Sequence, residues 1–289
     1  MADARPANAA QARRWNGASG HYWIEHRKRH LAEHQHLLPH LFRAAGISPG
    51  ERVLDVGCGC GTTTIEAARA AQGKTEASPP RRDPGGIAVG LDLSAPMLAV
   101  ARQLAAEAGT SNARFVRGDA QARPLRRDWC DVVISSFGVM FFDNPAAAFT
   151  SMAAAARPGG RLAFLCWQDD TENEVFAIPL RVFGACTGPG SADDLFADQR
   201  RIRDLLSGTG WQDAQVTSVT ERAWLGSDAD DVMSYVRGMP MIRDLTTRIN
   251  DLAVTERAFA AIASEYVALQ SADGVWVRAA AWLVTARRT

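Results

Sequence analysis

The segment VLDVGCGCGTTT, residues 53–64, constrains this chain more than any other. An apolar, strand-like run leads into Gly57, Gly59 and Gly61, and helix-forming residues follow at once. Glycines at such a junction let the backbone turn tightly and approach a ligand without interference from a Cβ atom. A group held there meets the free N–H groups and partial positive charge of a helix N-terminus, which suits a carboxylate or a phosphate.

The strand–helix unit repeats. ERVLDV, GIAVGLDL, ARFVRGD, CDVVISS and RLAFLCW read as strands, and TTTIEAARAA, APMLAVARQLAAEAG and PAAAFTSMAAAA as the helices between them. Such alternation predicts a parallel sheet covered on both faces. A helix is expected over 21–44, before Gly46 and Pro49. After Trp167 the rhythm breaks, then resumes with a helix near RRIRDLLSGTG, a strand AQVTSVTERAW, helices over 228–270 and a last strand GVWVRAAAWLVTARR. The two late strands are expected to complete the sheet in antiparallel fashion, with the intervening segments forming a cap. Three regions follow: a helical lead-in or lid (1–48), a ligand-binding core (49–168), and cap plus last strands (169–289). The Pro/Gly-rich stretch at 73–86 reads as a surface loop.

A GxGxG loop alone does not separate a dinucleotide site from others. Three carboxylates do. Asp55 stands two residues before the first glycine, where it can hold an ammonium group, which a pyrophosphate lacks. Asp92 ends the second strand, placed to accept hydrogen bonds from ribose hydroxyls, and Asp119 follows the third, where it can receive an adenine amino group. Ammonium, ribose and adenine in chain order describe S-adenosylmethionine.

VLDVGCGCG, GLDLSAPML, GDA, SSFGVMFF and RPGG, in that order, resemble the motifs of class I methyltransferases, and in particular the small-molecule branch that includes the ubiquinone/menaquinone C-methyltransferases. The resemblance covers residues 50–168, and extends more weakly to WNGASGHYW near the start and AAAWLVTARR near the end. It implies a Rossmann-like, seven-stranded, mostly parallel α/β sheet with an antiparallel last strand, helices on both faces and cap insertions. It implies S-adenosylmethionine as cofactor. Gly57, Cys58 and Gly59 would lie against the methionine moiety, with Asp55 at its ammonium, Thr62 at its carboxylate and the Ser135 carbonyl nearby. Asp92 and Leu93 would meet the ribose, Met97 the adenine face, and Asp119 and Ala120 the adenine edge. The loop at 73–86 departs from the family, where this connection is short, but touches no cofactor position.

Lys+Arg and Asp+Glu balance at 32 each, so the basic excess of a nucleic-acid binder is missing. No apolar run approaches the ~20 residues of a membrane-spanning helix, and the start of the chain lacks the apolar stretch of a secretory signal. A cytoplasmic enzyme acting on a small molecule is expected, with the N-terminal helix available to pair with a second copy. The five cysteines (58, 60, 130, 166 and 186) read as reduced, mostly buried thiols. No metal site is expected, because Cys58-Gly-Cys60 has no companion at zinc spacing. The acid pairs Asp169-Asp170, Asp193-Asp194 and Asp230-Asp231 are weak candidates for a divalent cation.

Methyl transfer needs a positioned nucleophile and a dry pocket, and a base only for some acceptors. His21, in the GHYW lead-in, and Glu172, at the rim after the fifth strand, are the candidate bases, with Glu174 beside the latter. All six histidines lie between residues 21 and 40. His26, His30 and His34 share a helical face that reads as a solvated basic stripe beside Arg27, Lys28 and Arg29. Tyr22, Trp23, Phe137, Met140, Phe141 and Trp167 are candidates for the substrate wall, where aromatic faces would also steady a sulfonium. Trp224, Met233, Met239 and Met241 are further wall candidates from the cap. Two rival readings remain: a binding scaffold without catalysis, and a nicotinamide-dependent oxidoreductase. The short-chain form of the latter needs a Tyr with Lys four residues on, and none of Tyr22, Tyr235 or Tyr266 has one.

Overall fold

The computed structural model describes residues 8–72, 85–122, 125–187 and 195–289, the side chains of 185–187 excepted. Most of the loop read at 73–86, and the pair Asp193-Asp194, lie outside the described residues.

Four short helices open the chain: α1 (Ala9–Asn16), α2 (Ala18–Glu25), α3 (Arg27–His34) and α4 (Leu38–Ala45). The sheet begins with β1 (Arg52–Val56), followed by α5 (Thr62–Gln72), β2 (Ile87–Asp92), α6 (Ala95–Glu107), β3 (Ala113–Arg117), β4 (Cys130–Ser136), α7 (Pro145–Ala155) and β5 (Ala156–Trp167). Then come α8 (Glu174–Thr187), α9 (Gln199–Ser207), β6 (Trp211–Gly226), α10 (Ala229–Gly238), α11 (Pro240–Ile249), α12 (Leu252–Leu269), the two-residue β7 (Gln270–Ser271) and β8 (Gly274–Arg288).

The sheet order is β3-β2-β1-β4-β5-β8-β6, with β7 attached to β8 as a hairpin. β3 through β5 run parallel, and β8 runs antiparallel to both β5 and β6. The Rossmann-like sheet with its antiparallel last strand is therefore present, and both late strands occupy the predicted segments. Val53, Val132, Val133 and Ile134 are fully buried because helices cover both faces. Two apolar cores result, one on each side of the sheet. Helix starts carry their own signals. Ser94 accepts from the Met97 N–H and Asn144 from the Ala147 N–H, each with a proline in the first turn.

The helix expected over 21–44 is broken. His26 has φ −93° and ψ 13° between α2 and α3, and residues 35–37 separate α3 from α4. Periodicity could not reveal these bends, because each is set by what the pieces pack against. α2 lies over α6 with α1 packed on α2, α3 meets β6, and α4 covers β4, β5 and β8.

Candidate active site

Chain order reverses at β1, which has β2 on one side and β4 on the other. Crevices outside the carboxyl ends of strands at such a reversal are where open α/β sheets bind ligands. The glycine loop fills this position. Gly57 has φ +71°, and a Cβ there would stand 2.6 Å from the Gly138 Cα, so neither residue tolerates a side chain. Gly59 has φ +52°, and a Cβ would press on the Met97 methyl at 3.1 Å. Above the loop lies a hollow bounded by the glycine loop, the ends of β1, β2 and β4, and the lead-in helices.

Of the residues expected at a cofactor, Gly57, Cys58, Gly59, Thr62, Asp92, Leu93, Met97, Asp119 and Ala120 line this hollow. Asp92 is locked in place: Oδ2 accepts from the Gly59 N–H and Oδ1 from the Ser94 N–H, both at 2.8 Å. Burial raises its pKa, and those N–H groups oppose the rise. Asp119 Oδ1 accepts from the Gln121 N–H at 3.0 Å. Asp55 and Ser135 do not line the hollow. Both are completely buried beneath the loop, and Ser135 Oγ donates to the Val56 carbonyl at 2.7 Å, leaving Ser136 on the wall.

Asp55 is the most constrained polar group of the site. Its Oδ2 accepts from Thr63 Oγ1 and Thr64 Oγ1, each at 2.6 Å, while Oδ1 is buried without a partner. Burial pushes its pKa up to about 6, against the two hydroxyls, and Asp92 nearby adds to the rise. An orphaned carboxylate oxygen under a glycine loop fits a cationic amine above it, and Gly59 leaves the backbone cradle open. The donor set therefore fits an amino-acid-bearing nucleoside.

The lead-in forms the roof. Asn16 Nδ2 donates to the Leu93 carbonyl at 3.1 Å, its Oδ1 accepts from the Ala95 N–H at 3.0 Å, and Ser94 Oγ donates to the Trp15 carbonyl at 2.7 Å. The WN pair is thus bonded to the end of β2. Trp15 packs edge-on against Phe141 at 5.0 Å and against Trp23 at 6.0 Å, and all three line the hollow. The lead-in also grips the cap. Tyr22 Oη donates to the Tyr235 carbonyl at 2.9 Å, and Arg29 bonds the Leu225 carbonyl and Asp231.

Several expectations for the wall are redrawn. Phe137 and Trp23 are on it, whereas Tyr22, Met140 and Trp167 stand behind. Trp167 stacks on Phe137 at 4.1 Å, and its N–H meets the Met140 sulfur at 3.4 Å. Phe137 has φ +61°, a conformation that costs a bulky residue about 1–2 kcal/mol, and it lines the hollow. Met233 and Met239 are buried in the core, and neither they nor Met241 and Trp224 reach the hollow. Neither candidate base lines it. His21 is exposed, with Nδ1 on the Gly17 carbonyl at 3.0 Å, and Glu172 is an exposed partner of Arg278 at 3.0 Å. Glu174 accepts from the Arg278 N–H at 2.6 Å.

The histidine stripe is not solvated. His30 is 7% exposed, and both His30 and His34 line the hollow. Burial pushes the His34 pKa down to about 4, against the charge of Glu33. Helical spacing placed these rings on one face, but basic neighbours hid that the face turns inward. Arg27, also basic, lines the hollow as well. Among the described residues no three His, Cys, Asp or Glu side chains gather as a metal site, and no helix is long and apolar enough to cross a membrane.

A family model described as a methyltransferase domain matches residues 47–186. A demethylmenaquinone methyltransferase of Mycobacterium sp. (strain KMS) is 33% identical over 193 residues, 61% of this chain and 74% of that protein. An uncharacterized protein of Mycobacterium tuberculosis (strain ATCC 25618 / H37Rv) is 34% identical over 129 residues, 45% of this chain and only 42% of its own length. The chain thus spans under half of that relative. Among solved structures, the YcgJ protein of Bacillus subtilis superposes with a TM-score of 0.57 at 17% identity, covering 88% of this chain and 99% of that one, a likeness of fold.

Proposed function

The chain belongs to the class I S-adenosylmethionine-dependent methyltransferases, related to the quinone methyltransferases, and on that premise we propose that it methylates an apolar, ring-bearing small molecule. The observation that carries this reading is the set of three carboxylates around one glycine loop, one of them with an orphaned buried oxygen. When bound, S-adenosylmethionine supplies a methyl group already activated on a sulfonium. The residues of the chain bind, orient and exclude water. Asp55 is assigned the ammonium, Asp92 the ribose hydroxyls, and Asp119 and Ala120 the adenine edge. Thr62, at the start of α5, is assigned the carboxylate.

The acceptor space is the part of the hollow bounded by Trp15, Trp23, Phe137 and Phe141. Its walls are aromatic, which suits a flat apolar acceptor and holds the reacting atoms at ~3–3.5 Å while keeping water out. The balanced net charge supports a small-molecule acceptor over a nucleic acid.

Titration calorimetry with S-adenosylmethionine and NAD in parallel tests this reading. Only the former should bind, and Asp92→Ala, which also strips an acceptor from the Gly59 and Ser94 N–H groups, should weaken it by about 1–3 kcal/mol. Binding of NAD in its place would refute the assignment. Methyl transfer confined to tRNA or protein would refute the small-molecule acceptor.

A further inference from the structure

The roof carries a buried cluster that cofactor binding does not use. His30 Nδ1 lies 3.4 Å from Glu33 Oε2 and 3.3 Å from the Tyr235 hydroxyl. Glu33 is 3% exposed, and Trp23 stacks on the His30 ring at 3.7 Å between centroids, 16° from parallel. The other ring nitrogen, Nε2, is buried with no partner, and His30 lines the hollow. We propose that His30 is the general base of this enzyme, that Glu33 is its positioning residue, and that the acceptor carries an acidic ring hydroxyl, phenolic or enolic.

The tautomer follows from the neighbours. A carboxylate facing Nδ1 demands a donor there, so Nδ1 carries the proton, shared between Glu33 and the Tyr235 oxygen, and Nε2 keeps its lone pair. Burial would raise the Glu33 pKa, but the His30 hydrogen bond and the charge of Arg29 oppose it, and it is held low. The carboxylate is therefore in place to hold an imidazolium once it forms. Trp23 fixes the ring plane. These contacts are long, as catalytic hydrogen bonds often are before substrate tightens them.

Position agrees with the role. Gly138 abuts Gly57 of the cofactor loop, Phe137 precedes it, His34 sits 4.6 Å from the Phe137 ring, and His30 lies 6.5 Å beyond. His30 thus borders the acceptor side of the hollow. In the step proposed, the acceptor O–H proton moves to Nε2 and its bonding pair stays on oxygen. That pair becomes available to bond the methyl carbon as the carbon–sulfur pair returns to sulfur. The remaining groups around His30 are Tyr22, His26 and Arg29 from the lead-in, His34 below it, and Tyr235 from the cap.

The inference rests on the function proposed above, and its test separates the two. The full chain is loaded with S-adenosylhomocysteine, checked by calorimetry, and titrated with 4-nitrophenol, whose phenolate absorbs in the visible. At pH 6 the wild type should bind it as the phenolate, while His30→Gln should bind the neutral phenol or lose it. His21→Gln, at an exposed residue off the hollow, should behave as wild type. With 1,4-dihydroxynaphthalene as acceptor and radiolabelled methyl donor, His30→Gln should cost about 10²–10⁴-fold in kcat. Glu33→Gln should lower kcat more than it changes KM and shift the pH profile. Equal ionisation of nitrophenol in wild type and His30→Gln, or a loss confined to His34→Gln, would overturn the proposal. Failure of the wild type to bind S-adenosylhomocysteine would instead overturn the function on which it rests.

Discussion

Asp55→Asn is expected to stabilise the ligand-free protein in alkaline but not in acidic buffer. One Asp55 oxygen is satisfied by two threonine hydroxyls and the other by nothing, so the folded state favours the neutral acid. Its pKa rises from 3.8 to about 6, which at about 1.4 kcal/mol per pH unit corresponds to about 3 kcal/mol. The sign is fixed by proton binding. Between these values the folded chain holds a proton that the unfolded chain has released, so stability falls as pH rises from about 4 through 6. Asparagine cannot ionise and escapes that loss, while its carbonyl still accepts from Thr63 and Thr64. Urea unfolding of both proteins across pH 4 to 8 should show the variant gaining about 3 kcal/mol on the wild type, all other titrating groups cancelling in the difference. Saturating S-adenosylhomocysteine should close the gap, on the proposed assignment of its ammonium to the orphaned oxygen. Parallel stability curves for the two proteins would refute this account of Asp55.

Gly57→Ala forces a left-handed alanine whose Cβ meets the Gly138 backbone at 2.6 Å; at about 1–2 kcal/mol for the conformation alone, a fall of roughly 2–8 °C in Tm is expected by calorimetry, with loss of cofactor binding. Arg29→Ala removes the bonds to the Leu225 carbonyl and Asp231 that tie the lead-in to the cap, so limited proteolysis should cut faster within residues 8–45, at a cost of about 1–3 kcal/mol. Glu172→Gln breaks only an exposed pair with Arg278; stability should hold within about 0.5 kcal/mol and methyl transfer should be unchanged.

Much of the cofactor half was legible because its determinants are local. Gly57, Gly59, Asp92 and Asp119 sit at strand ends, and a parallel strand–helix repeat brings strand ends together at one edge. The acceptor half was legible only in part, Trp23, Phe137 and Phe141 lying on the wall as expected, and the rest was hidden for the opposite reason. Tyr22, Trp23, His30 and His34 lie on short helices whose facing depends on β6 and α10, about 200 residues away. A row of histidines among arginines has the same spacing whether it faces water or a cavity. Likewise Phe137, Met140 and Trp167 all read as wall, yet only Phe137 lines the hollow, with Trp167 stacked behind it.

Hydrophobic period and turn chemistry act over a few residues, and so they specify the sheet, its late antiparallel strand and the glycine loop. Which side chains share the hollow is set by helix packing. Asp55 passes beneath the loop, His21 and Glu172 turn to solvent, and His30 is buried beside Glu33 at the edge of the hollow. Burial and partnership between distant segments arise when helices pack, and no local pattern encodes them.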